Sequence, residues 1–249
     1  MRWLLIVSLA AFANAAIAEP VELTAVDGVK VFGEVWRAAG AHRPIILAFH
    51  QAESNRAEYA PLAARLNAAG FTVLAIDQRS GGNYFGGTNQ TVALHGDSLG
   101  YDAALPDLAA ALEWARSTER NAPILVWGSS YSAALVFVLA AQNPGAIAGV
   151  LAFSPAEYLD QPDAVRKAAA KVDVPVYITQ AKDRSEIAAA REIFSRVASS
   201  EKTQFIPAIG GVHGSATLRK DKNAAGAEEN WQAVLRFLGR FAKPQKAAR

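Results

Sequence analysis

The 249-residue chain is 51% hydrophobic and 19% charged, which excludes an intrinsically disordered polymer and supplies material for one continuous core. It contains no cysteine, so disulfides, thiolate metal sites, iron–sulfur clusters and cysteine nucleophiles are excluded together, and any chemistry must use oxygen or nitrogen. The formal net charge is +2, and no basic stripe interleaved with aromatics marks a nucleic-acid-binding face.

At the amino terminus Arg2 precedes the apolar stretch Trp3–Ala13, and a small-residue exit, Ala16-Ile17-Ala18, follows it. That is the pattern of a secretory signal peptide. The run is shorter than the ~20 apolar residues a spanning helix needs, and Ser8 and Asn14 interrupt it. The expectation is therefore cleavage near Ala18, with Ala13-Asn14-Ala15 as a rival site. This leaves residues 19–249 as a single domain, periplasmic or secreted, with no membrane span after cleavage.

Beyond the leader, short β-branched runs alternate with segments whose apolar residues recur at three and four, the pattern of a mostly parallel sheet covered by helices. Val21–Ala25 and Val29–Trp36, joined through Asp27-Gly28, predict an antiparallel hairpin at a sheet edge. Pro44–Phe49 predicts a buried strand, Glu58–Ala69 a helix ended by Gly70, and Phe71–Ile76 the next strand. A polar, glycine-rich loop from Asp77 to about Gly100 leads into a helix over Tyr101–Ser117. Then follow a strand Pro123–Trp127, a helix Ala133–Gln142 and a strand Ala146–Phe153. An irregular and helical stretch reaches Lys171. A strand Val174–Thr179, a helix Ser185–Val197, a strand Thr203–Pro207 and a helix Glu228–Phe241 complete the pattern, before a basic tail.

The richest stretch is Val126-Trp127-Gly128-Ser129-Ser130-Tyr131-Ser132, an apolar strand meeting a helix through a turn of the form Gly-x-Ser-x-small. In such a turn the positions two before and two after a nucleophilic serine must be small, because the backbone there is strained against strand and helix. Gly128 and Ser132 satisfy this for Ser130, whereas Ser129 would be flanked by Trp127 and Tyr131. The same residues would also suit an ordinary helix cap.

On this turn the chain resembles the α/β-hydrolase family. The resemblance extends from about Val29 to Phe241, and the compact form is similar to the dienelactone-hydrolase and small-esterase branch, without that branch's cysteine nucleophile. It implies a twisted, mostly parallel sheet of about eight strands with helices on both faces. The short interval Ser154–Asp173, where family members insert a lid, leaves no room for a large cap domain. The family's triad runs serine, acid, histidine. Of the four histidines only His213 follows Ser130, in a glycine-rich loop after the last strand. The acid should lie at the carboxyl end of a strand. Asp183, just past Val174–Thr179, is the first choice, although it also suits a helix N-cap. Glu157 is the runner-up, while Asp160 and Asp163 read as surface charges. The resemblance also implies an oxyanion hole made by the N–H groups of Tyr131 and of a residue after the strand ending at Phe49. Ala52 is the first choice there and Gln51 the second. The sequence has His50-Gln51 where the family often has histidine-glycine. Asp77-Gln78-Arg79 looks like the family's loop-organising acid-x-arginine segment and reads as structural.

No metal-ligand spacing or phosphate loop is present, so no cofactor is expected. The expected activity is serine-dependent hydrolysis of a small-molecule carboxylic ester through an acyl-enzyme. Acyl transfer with the same triad is a second reading, and a non-catalytic exported binding protein on the same fold is a third.

Overall fold

The computed structural model describes residues 17–40 and 43–242. The proposed leader lies outside the described residues except for Ile17 and Ala18, as does most of the basic tail. Strands β1 (Ala18–Thr24) and β2 (Lys30–Trp36) form the predicted antiparallel hairpin. Its turn places Gly28 at a φ of 83°, a left-handed conformation that glycine adopts without strain. Strand β2 pairs antiparallel with β4 (Thr72–Ile76). From there the sheet is parallel through β3 (Ile45–Phe49), β5 (Ile124–Ser129), β6 (Gly149–Phe153), β7 (Val176–Thr179) and β8 (Lys202–Phe205). The order across the eight strands is β1-β2-β4-β3-β5-β6-β7-β8.

Two apolar layers cover this sheet. Helices α1 (Ala60–Ala68) and α7 (Ala227–Leu238) lie on one face, where Trp127 stacks on Phe153 with ring centroids 4.5 Å apart. Helices α3 (Leu105–Thr118), α4 (Tyr131–Gln142), α5 (Ala164–Ala169) and α6 (Arg184–Arg196) cover the other. Every residue of β3, β4, β5, β6 and β7 is buried, which is why these strands read as continuous apolar runs instead of alternating ones. Each fully buried leucine or isoleucine contributes about 1.5–3 kcal/mol of transfer free energy. Between β6 and β7 the described chain inserts only α5 and its flanking turns, and no cap domain.

The parallel registers align the strand ends. Phe49 pairs with Gly128, Ser129 with Phe153, and Phe153 with Thr179. The residues that follow, from His50, Ser130, Ser154 and Gln180 onward, therefore emerge along one edge of the sheet. This edge is where open α/β sheets place their sites.

Two local differences from the sequence reading have clear causes. The Asp77–Gly100 segment holds a helix, α2 (Gln90–His95), because Asn89 Oδ1 accepts the Val92 N–H at 2.8 Å and Asp77 Oδ2 accepts the Gln90 N–H at 2.8 Å. Helix α4 begins at Tyr131 and not Ala133, directly at the turn after β5. Arg79 shows why the Asp77-Gln78-Arg79 segment organises its surroundings. Its guanidinium meets buried Asp107 in α3 through Nε at 2.9 Å and Nη2 at 2.6 Å, and it also grips Asp27 in the hairpin turn.

Candidate active site

Ser130 stands between β5 and α4 at φ 57° and ψ −122°, a conformation that costs a non-glycine residue about 1–3 kcal/mol. The surroundings enforce it: the Ser130 N–H donates to the Phe153 carbonyl at 2.8 Å, and the Ala133 N–H donates to the Ser130 carbonyl at 2.8 Å. Gly128 makes the turn sterically possible, because a Cβ there would lie 2.2 Å from the Ser132 carbonyl oxygen. Replacing Gly128 by alanine is expected to destabilise the protein by about 3 kcal/mol or more, read as a fall in denaturant midpoint, because the clash is with backbone and cannot be relieved by a rotamer change.

His213 reaches Ser130 from the loop after β8. Its Nε2 lies 2.8 Å from Ser130 Oγ, and its Nδ1 lies 2.7 Å from Glu186 Oε1. The loop is moored to the strand ends: Gly214 N–H donates to Ser154 Oγ at 2.9 Å and Ser215 N–H to Ser129 Oγ at 2.9 Å. Gly214, at φ 68°, must lack a side chain, since a Cβ would come within 2.4 Å of the Ser129 hydroxyl. Ser129 is thus buried and used as an anchor, while Ser130 is 7% exposed at the site.

The carboxylate behind His213 is Glu186, not Asp183. Asp183 is the N-cap of α6: its Oδ1 accepts the N–H groups of Ser185 at 2.9 Å and Glu186 at 3.0 Å, so it does not reach the imidazole. Glu157, the runner-up, caps α5 by accepting from Val165 and Arg166 N–H at 3.0 and 2.9 Å. Glu186 sits in the first turn of α6, and its Oε2 accepts the Ala181 N–H at 2.9 Å, which draws the carboxylate back toward the loop after β7. The signal in the sequence was Asp183-x-x-Glu186, a capping pattern whose third helical residue turns toward the preceding loop.

Burial opposes charging Glu186, but the bonds from His213, the Ser154 hydroxyl and the Ala181 N–H outweigh it and hold the carboxyl below its usual value. His213 is raised above 6.5, chiefly by its hydrogen bond to Glu186 and against the effect of burial. A charged carboxylate on Nδ1 also fixes the tautomer that leaves Nε2 free to accept a proton.

Two backbone N–H groups have no hydrogen-bond partner among the described residues: that of Tyr131, the residue after Ser130, and that of Ala52, in the loop after β3. The Gln51 N–H, the second choice from sequence, is already engaged by Glu58 Oε2 at 2.9 Å. Next to Ala52 an open groove of about 670 Å³ runs between Glu53, Gly82, Asn83, Tyr84 and Tyr101. Tyr101 stacks on the buried Tyr131 ring at 4.5 Å, and the Tyr158 hydroxyl faces Ser130 while donating to the Ser154 carbonyl at 3.2 Å. A concavity of about 740 Å³ around Arg116, Arg120 and Pro144 lies at the opposite, amino-terminal end of β5 and carries no nucleophile. Among the described residues no three His, Asp or Glu side chains converge to hold a metal ion.

This strand order, with a strained serine after β5 facing a histidine after the last strand, defines a serine hydrolase of the α/β-hydrolase fold. Residues 40–177, more than half of the chain, match the family described as serine aminopeptidase, S33 (Hydrolase_4), and the chain belongs to that family. The fold is similar to that of the Pyrococcus furiosus esterase Pf2001, at 20% identity over 92% of each chain and a TM-score of 0.68. It is similar to dienelactone hydrolase from Anabaena variabilis at 16% identity, over 92% of this chain and 100% of that one, with a TM-score of 0.70. A cold-adapted esterase from an Arctic intertidal metagenomic library aligns at 21% identity over 92% and 95% of the two chains, with a TM-score of 0.65. No curated protein matches the sequence significantly.

Proposed function

We propose that the protein is an exported carboxylesterase that uses Ser130, His213 and Glu186 through an acyl-enzyme. The observation that carries this reading is the unbroken line of contacts from Ser130 Oγ through both nitrogens of His213 to Glu186, at 2.8 and 2.7 Å. His213 Nε2 takes the Ser130 proton as Oγ attacks the ester carbonyl carbon. The tetrahedral oxyanion rests on the N–H groups of Tyr131 and Ala52. Collapse expels the alcohol, which leaves with the proton from Nε2. Water then enters, gives its proton to Nε2 and attacks the acyl-enzyme, and the second collapse returns that proton to Ser130 Oγ as the acid departs.

The open groove beside Ala52 and the absence of a cap among the described residues favour a small, solvent-accessible ester. The esterases and the dienelactone hydrolase that share the fold act on bonds of this class. A fluorophosphonate probe should label the protein at the peptide carrying Ser130. Labelling elsewhere, or none alongside measurable turnover, would overturn the assignment.

The direction of the His213 shift gives a second test. His213 must be neutral to act as base, so activity is present above its pKa and lost as pH falls through it. The acid limb of kcat/KM is expected above 6.5, and an inflection below that value contradicts the pairing with Glu186.

Export is supported by the Arg2, apolar stretch and Ala16-Ile17-Ala18 pattern of the leader. Amino-terminal sequencing of the protein from a periplasmic or medium fraction should find Glu19 first. A chain that retains residues 1–18 would refute it.

A further inference from the structure

The loop that carries Ala52 is held from behind by a carboxyl group that the proposed reaction never touches. Glu58 ends a short 3₁₀ turn before α1 and is completely buried. Its Oε2 accepts the Gln51 N–H at 2.9 Å, while its Oε1 makes no hydrogen bond with the described residues. A carboxyl group is a costly way to fill buried space, so its one well-formed bond identifies what it is there to hold.

Two successive peptide planes explain the effect. In the first, the His50 carbonyl accepts the Ser132 hydroxyl at 2.6 Å and the Gln51 N–H goes to Glu58, so the plane is clamped at both ends. In the second, the Gln51 carbonyl accepts from His50 Nδ1 at 2.8 Å and from the Ser54 N–H at 3.3 Å. The His50 ring can serve this way because its Nε2 accepts the Gln78 N–H at 3.0 Å, which leaves the proton on Nδ1. A trans peptide places its C=O and N–H on opposite sides. With the Gln51 carbonyl turned inward, the Ala52 N–H is turned outward, and it has no partner among the described residues.

We infer that Glu58 is a positioning residue of the oxyanion site: by holding the Gln51 N–H it fixes the loop orientation that presents the Ala52 N–H to the tetrahedral intermediate. The inference rests on the acyl-transfer reading above. The titratable and polar groups whose charge or dipole bears on Glu58 are the hydroxyls of Ser54 and Ser129, the Arg219 guanidinium, Tyr59, Tyr131 and His213. Burial pushes the carboxyl up to about 7, while the hydroxyls of Ser129 and Ser54, the Gln51 N–H and Arg219 draw it down. Both protonation states keep an oxygen lone pair for the Gln51 N–H, so the clamp survives titration.

The test compares E58M, which keeps the volume and removes the acceptor, with E58Q, which keeps both volume and acceptor oxygen. With a short p-nitrophenyl ester, E58M is expected to lower kcat by about 30-fold, less than the 10²–10³ for deleting a donor outright, with KM within about twofold of wild type. A boronic acid that forms a tetrahedral adduct on Ser130 should lose affinity in the same proportion as kcat. E58Q should retain at least about a third of kcat, because its amide oxygen still accepts the Gln51 N–H. A folded E58M with kcat within twofold of wild type, or a loss confined to KM, overturns the inference. Should E58M fail to fold, E58Q decides alone: a loss of kcat or of boronic-acid affinity beyond about threefold overturns it. A wild-type protein that the fluorophosphonate does not label fails the acyl-enzyme reading itself, whereas labelled Ser130 with an undiminished E58M fails only the role of Glu58.

Discussion

Alanine in place of Ser130 is expected to lower ester turnover by about 10⁴- to 10⁶-fold, the range seen when the nucleophile of such a triad is removed. The loss is that large because the proposed mechanism makes the covalent bond to the carbonyl carbon through this hydroxyl. On the proposed mechanism what remains is the pair of N–H groups at Ala52 and Tyr131, which would stabilise an oxyanion formed by water only weakly. Folding should survive. The Ser130 side chain bonds to His213 at the site, while the turn is held by backbone bonds to Phe153 and from Ala133 that alanine preserves. Alanine is as strained as serine at φ 57°, so the melting temperature of S130A should stay close to that of wild type. Glycine relieves the strain, so S130G should be equally inactive yet more stable than S130A by roughly 1 kcal/mol. Steady-state kinetics and thermal denaturation of the two variants check both halves, and substantial residual turnover in either would remove Ser130 from the chemistry.

The positions of Ser130 and His213 could be read from the sequence because each is bound to a steric or topological demand. A serine flanked two residues away by Gly128 and Ser132 fits a turn that larger neighbours would block, and His213 is the only histidine after it, in a loop that the sheet order brings back to the same edge. The acid carries no such constraint. A carboxylate four atoms from its backbone can come from the loop or from the first turn of the helix that follows it, and only the fold decides. At α6 the aspartate satisfies the helix terminus and the glutamate three positions on is free to turn outward. Helix α2 was hidden for a related reason. Its six residues are too few to show a period, and the bonds that start it come from Asn89 and from Asp77, the latter far back in the chain. The burial of Glu58 was not legible either, since a glutamate at the start of a helix reads as an exposed dipole partner until the fold encloses it.

Exchanging the two carboxylates at α6 separates their roles. E186Q is expected to reduce kcat by about 10³- to 10⁴-fold, comparable to neutralising the acid of other serine triads. The glutamine amide can still accept the Ala181 N–H, but its NH₂ facing Nδ1 favours the tautomer with the proton on Nε2, where it cannot take one from Ser130. D183A should keep kcat within about tenfold of wild type, since Asp183 touches only the first turn of α6, and should lower the melting temperature by removing the cap. The pH profile distinguishes them further. Glu186 is the leading cause of the raised His213 pKa and Asp183 the least of those that raise it. The acid limb of the residual E186Q activity should therefore move to lower pH, while that of D183A should barely shift. The opposite pattern, a collapse of turnover in D183A with E186Q still active, would mean that the loop closes over Asp183 during catalysis and that Glu186 is held only by its helix.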